Sequence, residues 1–153
     1  MHSALKVPVP YETTLRVRDT CLCLHVQRAA RALARRFDEA LRPLELTNGQ
    51  FSLLMALNRP APAKMKDVAE LLAMDRTTLT AALKVLERRE LITVNIDPHD
   101  RRGRLLALTP SGRRRLAAAV PVWEAHHRDT EQQLRSPDAV REALRHLSDL
   151  ASR

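Results

Sequence analysis

From about Asp19 onward, apolar side chains recur every three or four positions: Leu22, Val26, Ala29, Leu33, Phe37, Leu41 and Leu44. That spacing lays them along one stripe of a long amphipathic helix, which Pro43 is placed to end. Ahead of it, residues 1–14 contain Pro8 and Pro10 and show no helical period, so they read as an extended arm. A second helix opens at Thr47-Asn48-Gly49-Gln50, a hydroxyl at the N-cap with glutamine three residues on. It carries Phe51, Leu54 and Leu57 and stops before Arg59-Pro60-Ala61-Pro62. A third, short helix from about Met65 to Leu72 turns Val68, Leu71 and Leu72 inward.

Asp75 is a good N-cap for a fourth helix, which reaches about Arg89 and places Leu79, Leu83 and Leu86 on one face. The period then changes. Leu91 to Ile96 and Arg104 to Leu108 read as two short strands around the turn-rich tip Asp97-Pro98-His99-Asp100-Arg101-Arg102-Gly103. Thr109-Pro110 and Ser136-Pro137 both have the form of a helix start, N-cap then proline. They open a fifth helix with Leu116, Val120 and Trp123, and a sixth with Val140, Leu144, Leu147 and Leu150. The expected fold is mainly α with a small β-hairpin. Its expected parts are an arm over 1–18, outer helices over 19–46 and 109–153, and a head over 47–108.

The third and fourth helices, joined by the short Ala73-Met74 turn, form a helix-turn-helix. Such a unit lays its second helix in the DNA major groove and reads bases from near that helix's N-terminus. The outward positions there are Arg76, Thr77, Thr78, Thr80 and Lys84, side chains able to meet guanine, other base edges or a thymine methyl. The hairpin behind it carries Arg101, Arg102 and Arg104 at its tip, suited to the narrow, negative minor groove. Asp100 lies two residues before Arg102 and is expected to orient it through an ion pair.

Charge sharpens this picture. The chain has 153 residues and a formal net charge of +8. Residues 76–115 hold 10 basic and 4 acidic side chains, a balance of +6. Residues 116–153 hold 5 basic and 6 acidic, a balance of −1. Most of the surplus therefore falls on the fourth helix, the hairpin and the start of the fifth helix, as a local footprint for nucleic acid requires. No apolar run approaches the length of a membrane span. The N-terminal residues lack a signal peptide's apolar stretch, and a cytoplasmic location is the expectation.

From about Arg16 to Leu150 the chain closely resembles the MarR family of bacterial winged helix-turn-helix regulators. The resemblance rests on the wing Asp97-Pro98-His99-Asp100-Arg101-Arg102 and its exit Leu108-Thr109-Pro110-Ser111-Gly112. Leu46-Thr47-Asn48-Gly49-Gln50-Phe51 and Leu86-Glu87-Arg88-Arg89-Glu90-Leu91-Ile92 add to it. Gly103 stands where many members have serine. The resemblance implies a homodimer formed by the first, fifth and sixth helices, bound to double-stranded DNA at a near-palindromic operator. Its half-sites would lie about 34 Å apart. It also implies repression, released by a small aromatic, phenolic or carboxylate effector in a pocket lined by His25, Arg28, Ala29, Phe51, Leu54 and Met55.

Other chemistry is sparse. Cys23 falls where peroxide-sensing members of that family keep a reactive cysteine, which makes a redox-sensing repressor the alternative. Such members hold the thiolate with two tyrosines, whereas the matching positions here are Gln27 and Phe37. Cys21 and Cys23 are two residues apart, about 200° around a helix, and do not pair with each other. The histidines, including His126 and His127, fit no common zinc spacing, and Ser3-Ala4-Leu5-Lys6 lacks the partners of a serine enzyme. No metal, cofactor or enzyme activity is expected. A winged-helix interaction module without base readout is the remaining alternative, and Arg76, Thr77 and Thr78 argue against it.

Overall fold

The computed structural model describes residues 8–150. They fall into two compact units divided between Arg36 and Phe37. The expected arm is only partly described, since residues 1–7 lie outside the described residues. From Tyr11 it is not extended: Tyr11–Thr20 is helix α1, with Pro10 as its extended N-cap residue (φ −60°, ψ 144°). This helix has no buried residue, so it leaves no apolar period in the sequence. Cys21 breaks the path with extended backbone (φ −70°, ψ 109°), and the long amphipathic helix follows as α2, Leu22–Leu41.

The second unit contains the core. Phe37 and Leu41 at the end of α2 are buried in it, and a 3₁₀ turn, Arg42–Leu44, leads to α3, Asn48–Ala56. Both halves of the capping box form. Thr47 Oγ1 accepts from the Gln50 N–H at 3.2 Å, and Gln50 Oε1 accepts from the Thr47 N–H at 3.1 Å. α4 (Met65–Leu71) and α5 (Arg76–Arg88) make the helix pair, and β2 (Ile92–Ile96) and β3 (Arg104–Leu108) the hairpin. A strand absent from the sequence reading, β1 (Ala63–Lys64), pairs antiparallel with β3, giving the order β1-β3-β2. Two residues between Pro62 and a helix show no alternation, which is why the pattern missed it. α6 (Pro110–Glu131) and α7 (Pro137–Leu150) complete the chain. No helix among the described residues is long and apolar enough to cross a membrane.

Leucine dominates the interior: Leu41, Leu54, Leu79, Leu83, Leu86, Leu91 and Leu106 are fully buried, with Val68 and Ile92. The β2–β3 register sets Val94 opposite Leu106 and Ile92 opposite Leu108, so the apolar face of the hairpin closes over the helix pair. Three chain reversals use left-handed residues that are not glycine: Glu45 (φ 55°), Ala73 (φ 50°) and Glu90 (φ 56°). Glycine is needed instead at Gly112, where an added Cβ would lie 2.0 Å from the Leu91 carbonyl oxygen.

Two stability outcomes follow from these backbone positions. Gly112→Ala forces the first turn of α6 off Leu91 and should cost roughly 3 kcal/mol in urea unfolding. Ala73→Gly removes a left-handed penalty larger than the extra chain entropy of glycine, and should raise stability by about 0.5–1 kcal/mol. Equal midpoints for wild type and Gly112→Ala would contradict the close approach.

Candidate nucleic-acid interface

α5 begins where Asp75 gathers the free N–H groups of its first turn. One carboxylate oxygen accepts from the Thr78 N–H at 2.8 Å and the other from the Thr78 hydroxyl at 2.6 Å. These bonds, the hydroxyl's first, hold the Asp75 carboxyl below its ordinary pKa. The Thr78 side chain is thus committed to the cap. Thr80 is half-buried and its hydroxyl bonds back to the Arg76 carbonyl at 2.7 Å. Thr77 and Lys84 stand exposed without a side-chain partner among the described residues.

Arg76 is exposed, and its Nη2 donates to the Arg102 carbonyl in the hairpin at 3.3 Å. The residue expected to read a base therefore also tethers the wing to the start of α5. The wing tip is a tight turn, with the Gly103 N–H on the Asp100 carbonyl at 2.8 Å and the Asp97 N–H on the Gly103 carbonyl at 3.2 Å. Asp97, buried, accepts from the His99 N–H at 2.9 Å. Asp100 departs from expectation: its carboxylate takes the backbone N–H of Arg102 at 3.0 Å and forms no ion pair with that guanidinium. The order of the tip comes from the main chain, because a backbone bond costs no long side chain its freedom.

The wing arginines divide in two. Arg104 folds back onto the Arg101 and Gly103 carbonyls at 3.2 and 3.0 Å, bracing the turn from within. Arg101 and Arg102 are exposed and their guanidinium groups have no partner among the described residues. Sequence reasoning missed two neighbours. Lys64 and Lys66 line one groove, of about 400 Å³, with Arg76, Arg102 and Arg104. Pairing of β1 with β3 brings Lys64 there and the first turn of α4 carries Lys66 beside it, so no motif at the fourth helix could have announced them.

The expected pocket residues fall in both units. Phe51, Met55 and Trp123 line a largely apolar cleft of about 600 Å³ with Leu71, Val120 and Glu124. Phe51 stacks with Trp123 at a ring-centroid distance of 6.0 Å, and Trp123 with His127 at 4.6 Å. Leu54 does not reach that cleft, because it is fully buried in the leucine core. His25, Arg28 and Ala29 belong to the first unit, exposed on α2. There His25 Nδ1 bonds the Cys21 carbonyl at 2.8 Å. Cys23 is exposed, and Gln27, which replaces an expected tyrosine, does reach it: its amide donates to Sγ at 3.2 Å. No group of three or more metal-ligating side chains exists among the described residues.

A profile described as the MarR family matches residues 46–103. The HTH-type transcriptional repressor NicR of Pseudomonas putida is 35% identical over 77 residues, which cover 50% of this chain and 49% of NicR. The chain spans about half the length of curated relatives it matches, such as NicR and BadR. Among solved structures, the M. tuberculosis transcriptional regulator MosR in complex with DNA superposes with a TM-score of 0.80 and 35% identity, over 86% of this chain and 96% of MosR. The transcriptional repressor CouR bound to a 23-mer DNA duplex gives 0.71 and 30%, over 88% and 95%.

The Asp75 cap gives the interface an acid limit. Its carboxyl is depressed in the folded state, so the cap's contribution is complete above the unfolded value, about pH 4. It is lost as pH falls through the lower folded value. The thermal midpoint of Asp75→Ser should therefore fall less steeply below pH 4 than that of wild type; parallel acid limbs would rule the cap out as the cause.

Proposed function

This chain belongs to the MarR family of transcriptional regulators, not enzymes, and from that premise we propose that it is a homodimeric, sequence-specific DNA-binding repressor released by a small aromatic effector. The observation that carries the reading is the continuous basic edge formed by the start of α5 and the wing. Arg76, Thr77 and Lys84 are exposed on the helix beside Thr78 and Thr80, whose hydroxyls bond Asp75 and the Arg76 carbonyl. Arg101 and Arg102 project at the tip, and Arg104 braces that tip. Phosphate contacts set register and affinity, and the short polar side chains of α5 set sequence preference. MosR and CouR, both similar over most of their length, are described as bound to DNA. Repression follows the names of NicR and CouR.

Pairing of two chains accounts for the exposed apolar stripes. α7 buries no residue, yet Val140, Leu144 and Leu150 are 41%, 44% and 63% exposed on it. α2 leaves Leu22, Val26 and Leu33 similarly open. A lone chain in water rarely keeps such faces bare, and a second copy covers them with like surface. For the effector, the stacked rings of Phe51 and Trp123 in an apolar cleft favour a flat aromatic molecule over an aliphatic one. The exposed Cys23 thiol with its Gln27 donor favours a second trigger, hydroperoxide oxidation of that sulfur.

Titration of an operator selected from random duplexes tests the reading. Arg76→Ala should lose about tenfold or more in specific affinity while affinity for a scrambled duplex barely changes. Arg102→Ala should weaken both and reduce the slope of log affinity against log salt by about 1. Unchanged DNA affinity in both variants would end the proposal. For the second trigger, cumene hydroperoxide should abolish operator binding by wild type but spare Cys23→Ser; equal responses would exclude Cys23.

A further inference from the structure

Four elements of the second unit meet at the turn between α2 and α3, and a set of polar bonds ties them there beside the buried Leu41 and Leu46. Glu45 holds a left-handed conformation (φ 55°) at this turn. Its N–H donates to the Arg42 carbonyl at 2.8 Å. Arg89, the C-cap residue of α5, donates from Nη2 to the Glu45 carbonyl at 2.6 Å. Its Nη1 donates to Gln50 Oε1 at 3.2 Å, the same oxygen that closes the α3 capping box. From α6, Arg115 donates to the Leu44 carbonyl and, at 3.1 Å, to the Glu45 carboxylate. From α2, Asp38 accepts the Asn48 N–H at 2.7 Å.

We propose that Arg89 is a positioning residue that locks the DNA-reading helix to the α2–α3 turn, so that the orientation of α5 follows the end of α2. The inner face of α5 is leucine, which packs tightly but carries no directional bond that specifies one orientation of the helix. A guanidinium fork with its two arms on two different acceptors resists both. The second observation is the strain at Glu45. A left-handed non-glycine residue is costly and persists where its surroundings over-determine it, and here both of the arginines that fix it come from other elements. One end of α5 faces DNA and the other carries this grip, so the proposal deepens the DNA-binding reading and rests on it. Its consequence is a fixed separation between the two heads of a dimer.

The test compares wild type, Arg89→Met and Arg89→Lys on three duplexes: the selected operator, the same operator with one base pair added at its centre, and a single half-site. Wild type should lose about tenfold in affinity on the lengthened operator. Arg89→Met should bind both operators within about twofold of each other while keeping wild-type half-site affinity, and Arg89→Lys, with one bond instead of two, should fall between. Arg89→Met that keeps the wild-type spacing preference, or loses half-site affinity to the same extent as operator affinity, overturns the proposal. Amide hydrogen exchange of the free proteins gives an arm independent of DNA. Residues 47–51 and 86–91 should exchange faster together in Arg89→Met at a temperature where both proteins are folded. If either segment is unaffected the lock does not exist, whereas coupled acceleration in a protein that binds no duplex would retain the lock and discard the DNA reading.

Discussion

The backbone of Leu91 is the point on which the head depends. Its N–H bonds the Leu86 carbonyl at 3.0 Å and so ends α5, and its carbonyl accepts the Thr109 N–H at 3.1 Å and so starts α6. Thr109 adds its hydroxyl to the Glu90 carbonyl at 2.6 Å while accepting the Gly112 N–H at 3.0 Å. Only a residue without Cβ lets the first turn of α6 approach this closely. The end of α5, the start of the hairpin and the long helix α6 therefore share one junction with little tolerance. The tightness of that junction, with buried Leu91 and Ile92 beside it, gives the polar edge of α5 a rigid platform.

The arginines show how one residue type divides between scaffold and surface. Arg89, Arg104 and Arg115 spend their guanidinium groups on main-chain carbonyls, and Arg76 does so across the gap between α5 and the wing. Arg101 and Arg102 are left for a partner. The charge map located the basic segment correctly but counted both kinds alike. A carbonyl acceptor leaves the positive charge in place, so an arginine that braces the fold still contributes to the field that attracts phosphate.

Much of the fold was legible because local chemistry announces it. The capping box at Thr47 and the N-caps at Asp75 and Thr109 each formed as their sequences imply, since a cap involves residues only two or three apart. α1 was illegible for the opposite reason: it buries nothing, and burial is what writes a period into a sequence. β1 was illegible because two residues hold no pattern and their partner lies some forty positions later, Ala63 against Leu106. For the candidate site, the α5 and wing residues are proposed from motif position. Lys64 and Lys66 are not, because the pairing of β1 with β3, and the start of α4 that follows it, bring them to the groove.

By itself, then, the sequence determined the helix pair, the hairpin, the sites of capping and the segment that carries the charge. These depend on spacings of a few residues and on solvation, which act before the chain is folded. Tertiary structure alone decided that Asp100 orders the wing through its backbone, that Leu54 is core while Phe51 and Met55 open into a cleft, and that Arg89 grips a turn 44 residues away. Those outcomes turn on which donors and acceptors meet once the leucine core has closed, a matter of distance in space that no local pattern encodes.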